Sequence, residues 1–110
     1  MAVDVKNIIP TKFLENTDTT QFVAKTSTTI DKFTVTNTSA DIVTFSCNLV
    51  LSGGIVGPSN LVIKEKAVAA GETYVCPELV GHSLEAGSFI NTLADTADAL
   101  TVRASGREIT

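Results

Sequence analysis

The chain has 110 residues, 44% of them hydrophobic, with a formal net charge of −4 and a sequence pI near 4.7. This length predicts a single domain, and an acidic chain without a Lys/Arg cluster argues against a nucleic-acid-binding surface. The apolar runs are far shorter than the roughly 20 residues that a membrane-spanning helix needs. Residues 1–6 lack the charged-then-apolar layout of a signal peptide, so we expect a protein that is made in a reducing cytoplasm and does not contact a membrane.

The first part of the chain, residues 1–25, differs in character from the rest. Pro10 ends a short apolar patch, and a polar stretch over 11–21 follows it without a sustained period. We interpret residues 1–25 as an extended N-terminal arm with one short strand near 21–25, and residues 26–110 as the β-sandwich domain. The alternative is a frayed terminus, since chain ends are often poorly ordered. In the first interpretation the apolar residues of the arm contact a neighbouring subunit: Ile8, Ile9, Phe13 and Leu14.

The stretch 31–54 shows the clearest period-two alternation. Phe33 and Val35 alternate with threonines, and a second alternating run from Val43 to Leu51 follows a polar turn over 37–41. Alternation places one set of side chains on one face of a sheet, and the turn favours an antiparallel hairpin. We expect the apolar face of this hairpin and the later strands to share one core, formed by Phe33, Val35, Val43, Phe45, Leu49, Ile63, Leu100 and Val102.

Further short strands are predicted at 61–64, 73–76, 88–93 and 99–104, with a Gly-rich loop over 52–60 before the first of them. Charged residues follow the strand at 61–64, Pro77 ends the next, and Ser105-Gly106 is expected to hold a bulge or kink. Short strands at this spacing are typical of an all-β fold. We therefore expect an antiparallel β-sandwich, either Ig-like or jelly-roll-like.

Residues that could carry chemistry are few. Cys47 and Cys76 fit no metal-ligand spacing, and we expect two buried free thiols, with a disulfide as the alternative. The one histidine, His82, stands next to Ser83, and adjacent side chains in a loop or strand point apart, which disfavours a nucleophile–base pair. The sequence therefore predicts no enzyme activity, no catalytic residue, no cofactor and no metal site.

Several segments within residues 30–110 resemble a family of small virion proteins of tailed bacteriophages. In chain order they are FTVTNTS (33–39), NLVLSGG (48–54), SNLVI (59–63), AAGETY (69–74), PELVGHSLEAG (77–87) and RASGREIT (103–110). The resemblance implies a β-sandwich that assembles on a phage particle, as capsid decoration (cement) proteins do. It implies no catalytic residues.

On this resemblance, the expected partners are the major capsid protein or other virion subunits, with several copies forming a homo-oligomer on the particle. Arg103 and Arg107 are expected to form salt bridges with acidic residues of a neighbouring chain, so they join the predicted subunit contacts. One alternative is a tail or neck component of the virion. Another is a receptor- or carbohydrate-binding module that presents the loop 53–58, which the absence of Trp and the single Tyr disfavour.

Overall fold

The computed structural model describes residues 2–110, which form strands joined by turns and one 3₁₀ turn at Pro58–Asn60. Within these residues no helix has the length and apolarity to cross a lipid bilayer. The strands in this range are β1 (Val3–Phe13), β2 (Thr19–Val23), β3 (Ser27–Asn37), β4 (Val43–Val50), β5 (Leu61–Val68), β6 (Thr73–Tyr74), β7 (Ser83–Leu84), β8 (Phe89–Ala94) and β9 (Leu100–Ile109).

The strands form two antiparallel sheets that pack against each other. Sheet A has the order β1-β9-β3-β6, with β7 also paired to β3, and sheet B has the order β2-β8-β4-β5. With β6 and β7 counted as two pieces of one strand, every connection crosses between the sheets except the one from β4 to β5. This is the strand order of an eight-stranded jelly roll. The predicted antiparallel β-sandwich is confirmed, in its jelly-roll form.

One apolar core fills the space between the two sheets. Phe33 from sheet A and Phe45 from sheet B are its largest members, at 0% and 1% exposure. The predicted core residues are all buried except Leu49, which is half-buried and packs against the core. The alternation in the sequence therefore identified the inward faces of β3, β4 and β9 correctly.

The predicted hairpin between β3 and β4 is wrong. β3 pairs with β9, whereas β4 pairs with β5 and β8 in the other sheet. Alternation shows which face of a strand is apolar but not which strand lies beside it, and two facing sheets satisfy the pattern as well as a hairpin does. Asn37 holds the crossing in place, because its side-chain amide donates to the carbonyl oxygens of Asp41 at 2.7 Å and Val68 at 2.8 Å.

The interpretation of residues 1–25 as an arm outside the sandwich is also wrong for residues 3–23. β1 pairs with β9 in sheet A, and β2 pairs with β8 in sheet B. Ile8, Ile9 and Leu14 are only 5%, 0% and 1% exposed and belong to the core of their own domain. Each such side chain contributes about 1.5–3 kcal/mol when it leaves water, so docking on the domain itself is favoured.

Two irregularities in β1 explain why its alternation could not be recognised in the sequence. The register between β1 and β9 shifts between Lys6 and Ile9 and again between Ile9 and Lys12, on either side of the buried Ile9. Pro10 lies within the second shift, where a strand tolerates a missing backbone donor. The apolar residues of β1 are therefore spaced irregularly even though the segment is one strand.

The bulge expected at Ser105-Gly106 lies on the opposite strand, β3, and not on β9 itself. The pairing of β3 with β9 changes register between Ile30 and Lys32, opposite these two residues. The extra residue, Asp31, lies on β3. A Cβ atom at Gly106 would stand 2.2 Å from the Thr29 carbonyl oxygen, so the close approach of the two backbones requires glycine here.

Candidate functional site

The outer face of sheet A is uncovered along β1 and β9. Leu100, Val102 and Ala104 of β9 are buried, so the residues between them point outward. Cross-strand partners share a face, and Phe13 stands opposite Thr101, while Val5 stands opposite Arg107. We call this surface the A face; its residues are Val3, Val5, Thr11, Phe13, Thr101, Arg103, Arg107 and Ile109.

The predicted subunit contacts divide between this surface and the interior. Phe13, Arg103 and Arg107 all lie on the A face, where Phe13 is 45% exposed. The other three predicted contacts, Ile8, Ile9 and Leu14, are buried in the core and unavailable to a partner. Burial in the chain's own core is the physical reason that these three cannot act as the sequence suggested.

Sequence reasoning missed two exposed residues of the A face, Val3 and Val5. They are 55% and 82% exposed at the start of β1. Their signal was the alternation with Asp4 and Lys6, which is typical of a strand with one apolar side. The stretch was too short to stand out within a segment interpreted as an arm.

The two arginines of the A face differ in their partners. The Nε atom of Arg107 donates to both carboxylate oxygens of Asp31, at 3.0 and 3.1 Å, so this arginine has an acidic partner within its own chain. Its contact with a neighbouring chain stays a prediction. Arg103 donates from Nη1 to the Thr11 Oγ1 atom at 3.1 Å. In residues 2–110 the ion pairs join Lys6 to Glu108, Lys12 to Glu15 and Arg107 to Asp31, and none involves Arg103. Arg103 therefore retains donors for an acceptor from another molecule.

The outer face of sheet B is largely covered by the chain itself. Asn48, Val50 and Asn91 point away from the core, yet they are only 5%, 1% and 3% exposed. The Asn48 Nδ2 atom donates to the Gly57 carbonyl oxygen at 3.1 Å and to Asn60 Oδ1 at 2.7 Å, which fixes the loop 51–60 over β4. By the alternation of β4, Val50 points away from the core, and this loop buries it.

A cavity of about 610 Å³ lies where the loop 51–60 meets the segment 82–88. Apolar side chains of β4, β5 and β7 line it, together with His82, Glu85 and Ser88. Within the described part of the chain, the buried Ser88 Oγ atom has no hydrogen-bond partner. At Gly87, where φ is +87°, a Cβ atom would lie 2.4 Å from Ser52 Oγ, so the contact between the two loops depends on glycine.

The described residues show no arrangement for covalent chemistry. His82 is exposed in its loop, and none of the side-chain hydrogen bonds found in residues 2–110 links its imidazole to a hydroxyl or a carboxylate. No group of three potential metal ligands from His, Cys, Asp and Glu occurs in that range. Cys47 and Cys76 are free and buried, and desolvation raises the pKa of both thiols, that of Cys76 to about 12. The geometry supports noncovalent binding, while the lack of enzyme activity stays a prediction.

Comparison with known proteins does not identify a family for this chain. No protein-family model matches the chain, and no curated protein matches it either. Among solved structures, that of the infectious bursal disease virus Gx strain aligns with a TM-score of 0.49 and 16% sequence identity. The alignment covers 96% of this chain and 32% of the viral one, so this chain spans about a third of that protein's length.

Proposed function

We propose that this protein is a structural component of a virion, a capsid decoration protein of a tailed bacteriophage that stabilises the head by binding capsid subunits. The observation that carries the proposal is the A face, which presents an exposed aromatic ring, two exposed valines and an arginine that takes part in none of the ion pairs within residues 2–110. The resemblance of residues 30–110 to tailed-phage virion proteins supports the same role.

The A face has the composition of a docking surface. Phenylalanine and arginine are enriched at the centres of protein interfaces, where a few side chains supply most of the affinity. Phe13 would enter an apolar pocket of a capsid subunit, and the Arg103 guanidinium would pair with a carboxylate there. If the copies also bind one another on the particle, they attach multivalently, and each contact with the capsid can then be weak.

A co-sedimentation experiment tests this proposal. The purified protein is mixed with capsids assembled without it, and the variant carrying Phe13→Ala and Arg103→Ala is compared with the wild type. We expect the variant to lose about thirtyfold or more in affinity, because truncation at a hot spot costs about 2 kcal/mol. Leu93→Ala is the matched control, since Leu93 is exposed on the outer face of sheet B.

The possible results of this experiment distinguish a head position, a tail position and a contact through another surface. Wild-type protein that does not bind capsids, tested beside isolated tails, would reject a head position; binding to tails alone would favour a tail or neck component. Equal binding by the wild type and the double variant would show that a surface other than the A face makes the contact. Circular dichroism of the variant checks that it is folded.

The cavity beside the loop 51–60 favours a second candidate function, a module that binds a small polar ligand such as a sugar. Its volume of about 610 Å³ falls within the range of about 300–1,000 Å³ typical of ligand pockets. A buried hydroxyl without a partner, Ser88 Oγ, could bond to such a ligand. An NMR titration with simple sugars tests it: amide shifts at 82–88 that Ser88→Ala abolishes would support the module, and unchanged spectra at millimolar sugar would reject it.

A further inference from the structure

Among the sheet edges formed by residues 2–110, only β1 offers a long strand whose first residues, 3–6, are free of bulges. The opposite edge of sheet A is divided into β6 and β7, of two residues each. In sheet B, β2 has five residues and a register shift, and β5 is interrupted by Glu65, whose φ is +48°, between two lysines. Short, bulged and charged edges resist pairing with another chain, so β1 is the edge that remains available.

The backbone groups at the start of β1 point toward this open edge at alternate residues. Ala2 and Thr110 exchange two hydrogen bonds, at 2.8 Å from the Ala2 nitrogen and at 2.9 Å from the Thr110 nitrogen. Counting along the antiparallel ladder, Asp4 and Lys6 also direct their N–H and C=O groups to β9. Val3 and Val5 direct theirs away from β9, where no described strand receives them.

The charges around Val5 select the partner strand. Asp4 and Lys6 flank Val5. A two-fold axis at Val5 places Asp4 opposite Lys6 of a second copy and Lys6 opposite Asp4. An axis at Asp4 or at Lys6 would instead place two like charges directly opposite each other, which is destabilising. This segment is therefore self-complementary in one register.

We propose that β1 pairs antiparallel with β1 of a second copy of this chain, in the register centred on Val5. Sheet A then continues across a two-fold axis, and the two Val5 residues exchange both of their backbone hydrogen bonds. Lys6 already stands 3.1 Å from Glu108 within its own chain, and its side chain is 55% exposed. Its ammonium group can therefore bridge Glu108 and Asp4 of the second copy.

The interface is short, so the free dimer is weak. A few paired residues bury less than the roughly 1,200 Å² of a stable interface, and high local concentration is needed to populate the dimer. The inference does not depend on the proposed virion role, because it concerns the purified protein alone. Failure to bind capsids and failure to self-associate are thus distinct results.

Cysteine cross-linking tests the register. In the proposed dimer the Cα atoms of the two residues at position 5 lie about 5.5 Å apart, within disulfide range, so Val5→Cys should form a covalent dimer when oxidised with diamide. Val3→Cys is the matched control, because its counterpart in the second copy lies about 13 Å away along the strand. Cys47 and Cys76 are buried and should not contribute cross-links. Equal cross-linking by both variants, or none by Val5→Cys, would overturn the proposal.

Charge exchange tests the choice of partner. Asp4→Lys should abolish self-association in analytical ultracentrifugation at millimolar protein, and the double variant Asp4→Lys/Lys6→Asp should restore it. Val5→Pro should also give a monomer while the fold survives, because the removed N–H faces the open edge. A wild type that is monomeric at this concentration, or a double variant that stays monomeric, would contradict pairing in this register.

Discussion

The outer faces of the two sheets are built by the same alternation and yet differ in exposure. Val5 of sheet A is 82% exposed, whereas Val50 of sheet B, which also points away from the core, is 1% exposed. The difference comes from the connection that follows β4, since the loop 51–60 returns over its own sheet and is fixed by Asn48. Alternation predicts which side chains point away from the core. Whether such a side chain is exposed to solvent depends on the loops that cover the sheet.

The largest effect on stability is expected inside the sandwich, where large side chains from the two sheets should contribute about equally. Phe33→Ala and Phe45→Ala each remove a fully buried ring, one from each sheet, and each should lower the free energy of unfolding by about 3–5 kcal/mol. Urea denaturation followed by circular dichroism measures both. A normal stability for either variant would mean that its sheet does not share the common core.

The outer valines should separate the two faces directly. Val50→Ala removes two buried methyl groups and should cost about 2 kcal/mol, whereas Val5→Ala at an exposed position should change stability by less than about 0.5 kcal/mol. The same denaturation experiment gives both values. Equal losses of unfolding free energy in the two variants would show that the loop 51–60 does not cover sheet B in solution.

The cysteines test how tightly the sheets close on each other. Cys47 lies on β4, and Cys76 follows β6 at the edge of sheet A; burial raises the pKa of each thiol. We expect both to react with a thiol reagent at neutral pH at least about tenfold more slowly in the folded protein than in guanidinium, because the thiolate is the reactive form. Denatured protein without reductant should show two free thiols, and finding none would indicate a disulfide.

Tyr74 offers the smallest and most local test, at the edge where sheet A meets sheet B. Its ring lies 6.4 Å from that of Phe45, and desolvation together with the hydrogen bonds to the Glu78 carboxylate raises the pKa of Tyr74 from 10.0 to about 12. The stabilisation linked to this shift is complete below pH 10 and is lost as pH rises toward 12.

Absorbance titration can follow this residue alone, because the chain has one Tyr and no Trp. The tyrosinate signal of the folded protein should have its midpoint near pH 12, and Glu78→Gln should move it toward 10. A wild-type midpoint at the ordinary value would show that Tyr74 and Glu78 are not in contact.

The sequence predicted the fold class and the inward faces but not the neighbours of the strands. Phe33, Val35 and Val102 follow period two, and such residues are buried as expected. The pairing of the strands could not be predicted. β9 lies between β1 and β3 in sheet A although it is distant in sequence from both, and periodicity contains no information on distant partners. β1 escaped because its bulges break the period at Ile9.

The candidate site was predicted in part for the same reason. Phe13 and Arg103 were expected to contact a partner, and they share an exposed surface, although no sequence signal placed them on one sheet. Val3 and Val5 were missed, and the covering of Val50 by a loop could not be foreseen from the alternation of β4. Side-chain direction is a local property, whereas exposure depends on segments that are remote in the chain.

The position of β9 in sheet A also sets the order of folding. β1 and β3 both pair with β9, the last of the described strands in chain order, so these two pairings cannot form until Leu100–Ile109 has been synthesised. Until then two eleven-residue strands lack the partner that they share, and β2 of sheet B likewise has no partner until β8 (Phe89–Ala94) has been synthesised. Pairing of strands far apart in sequence is slow and leaves such edges exposed to aggregation. A chain truncated before Leu100 should therefore be recovered as aggregates and not as a smaller folded domain.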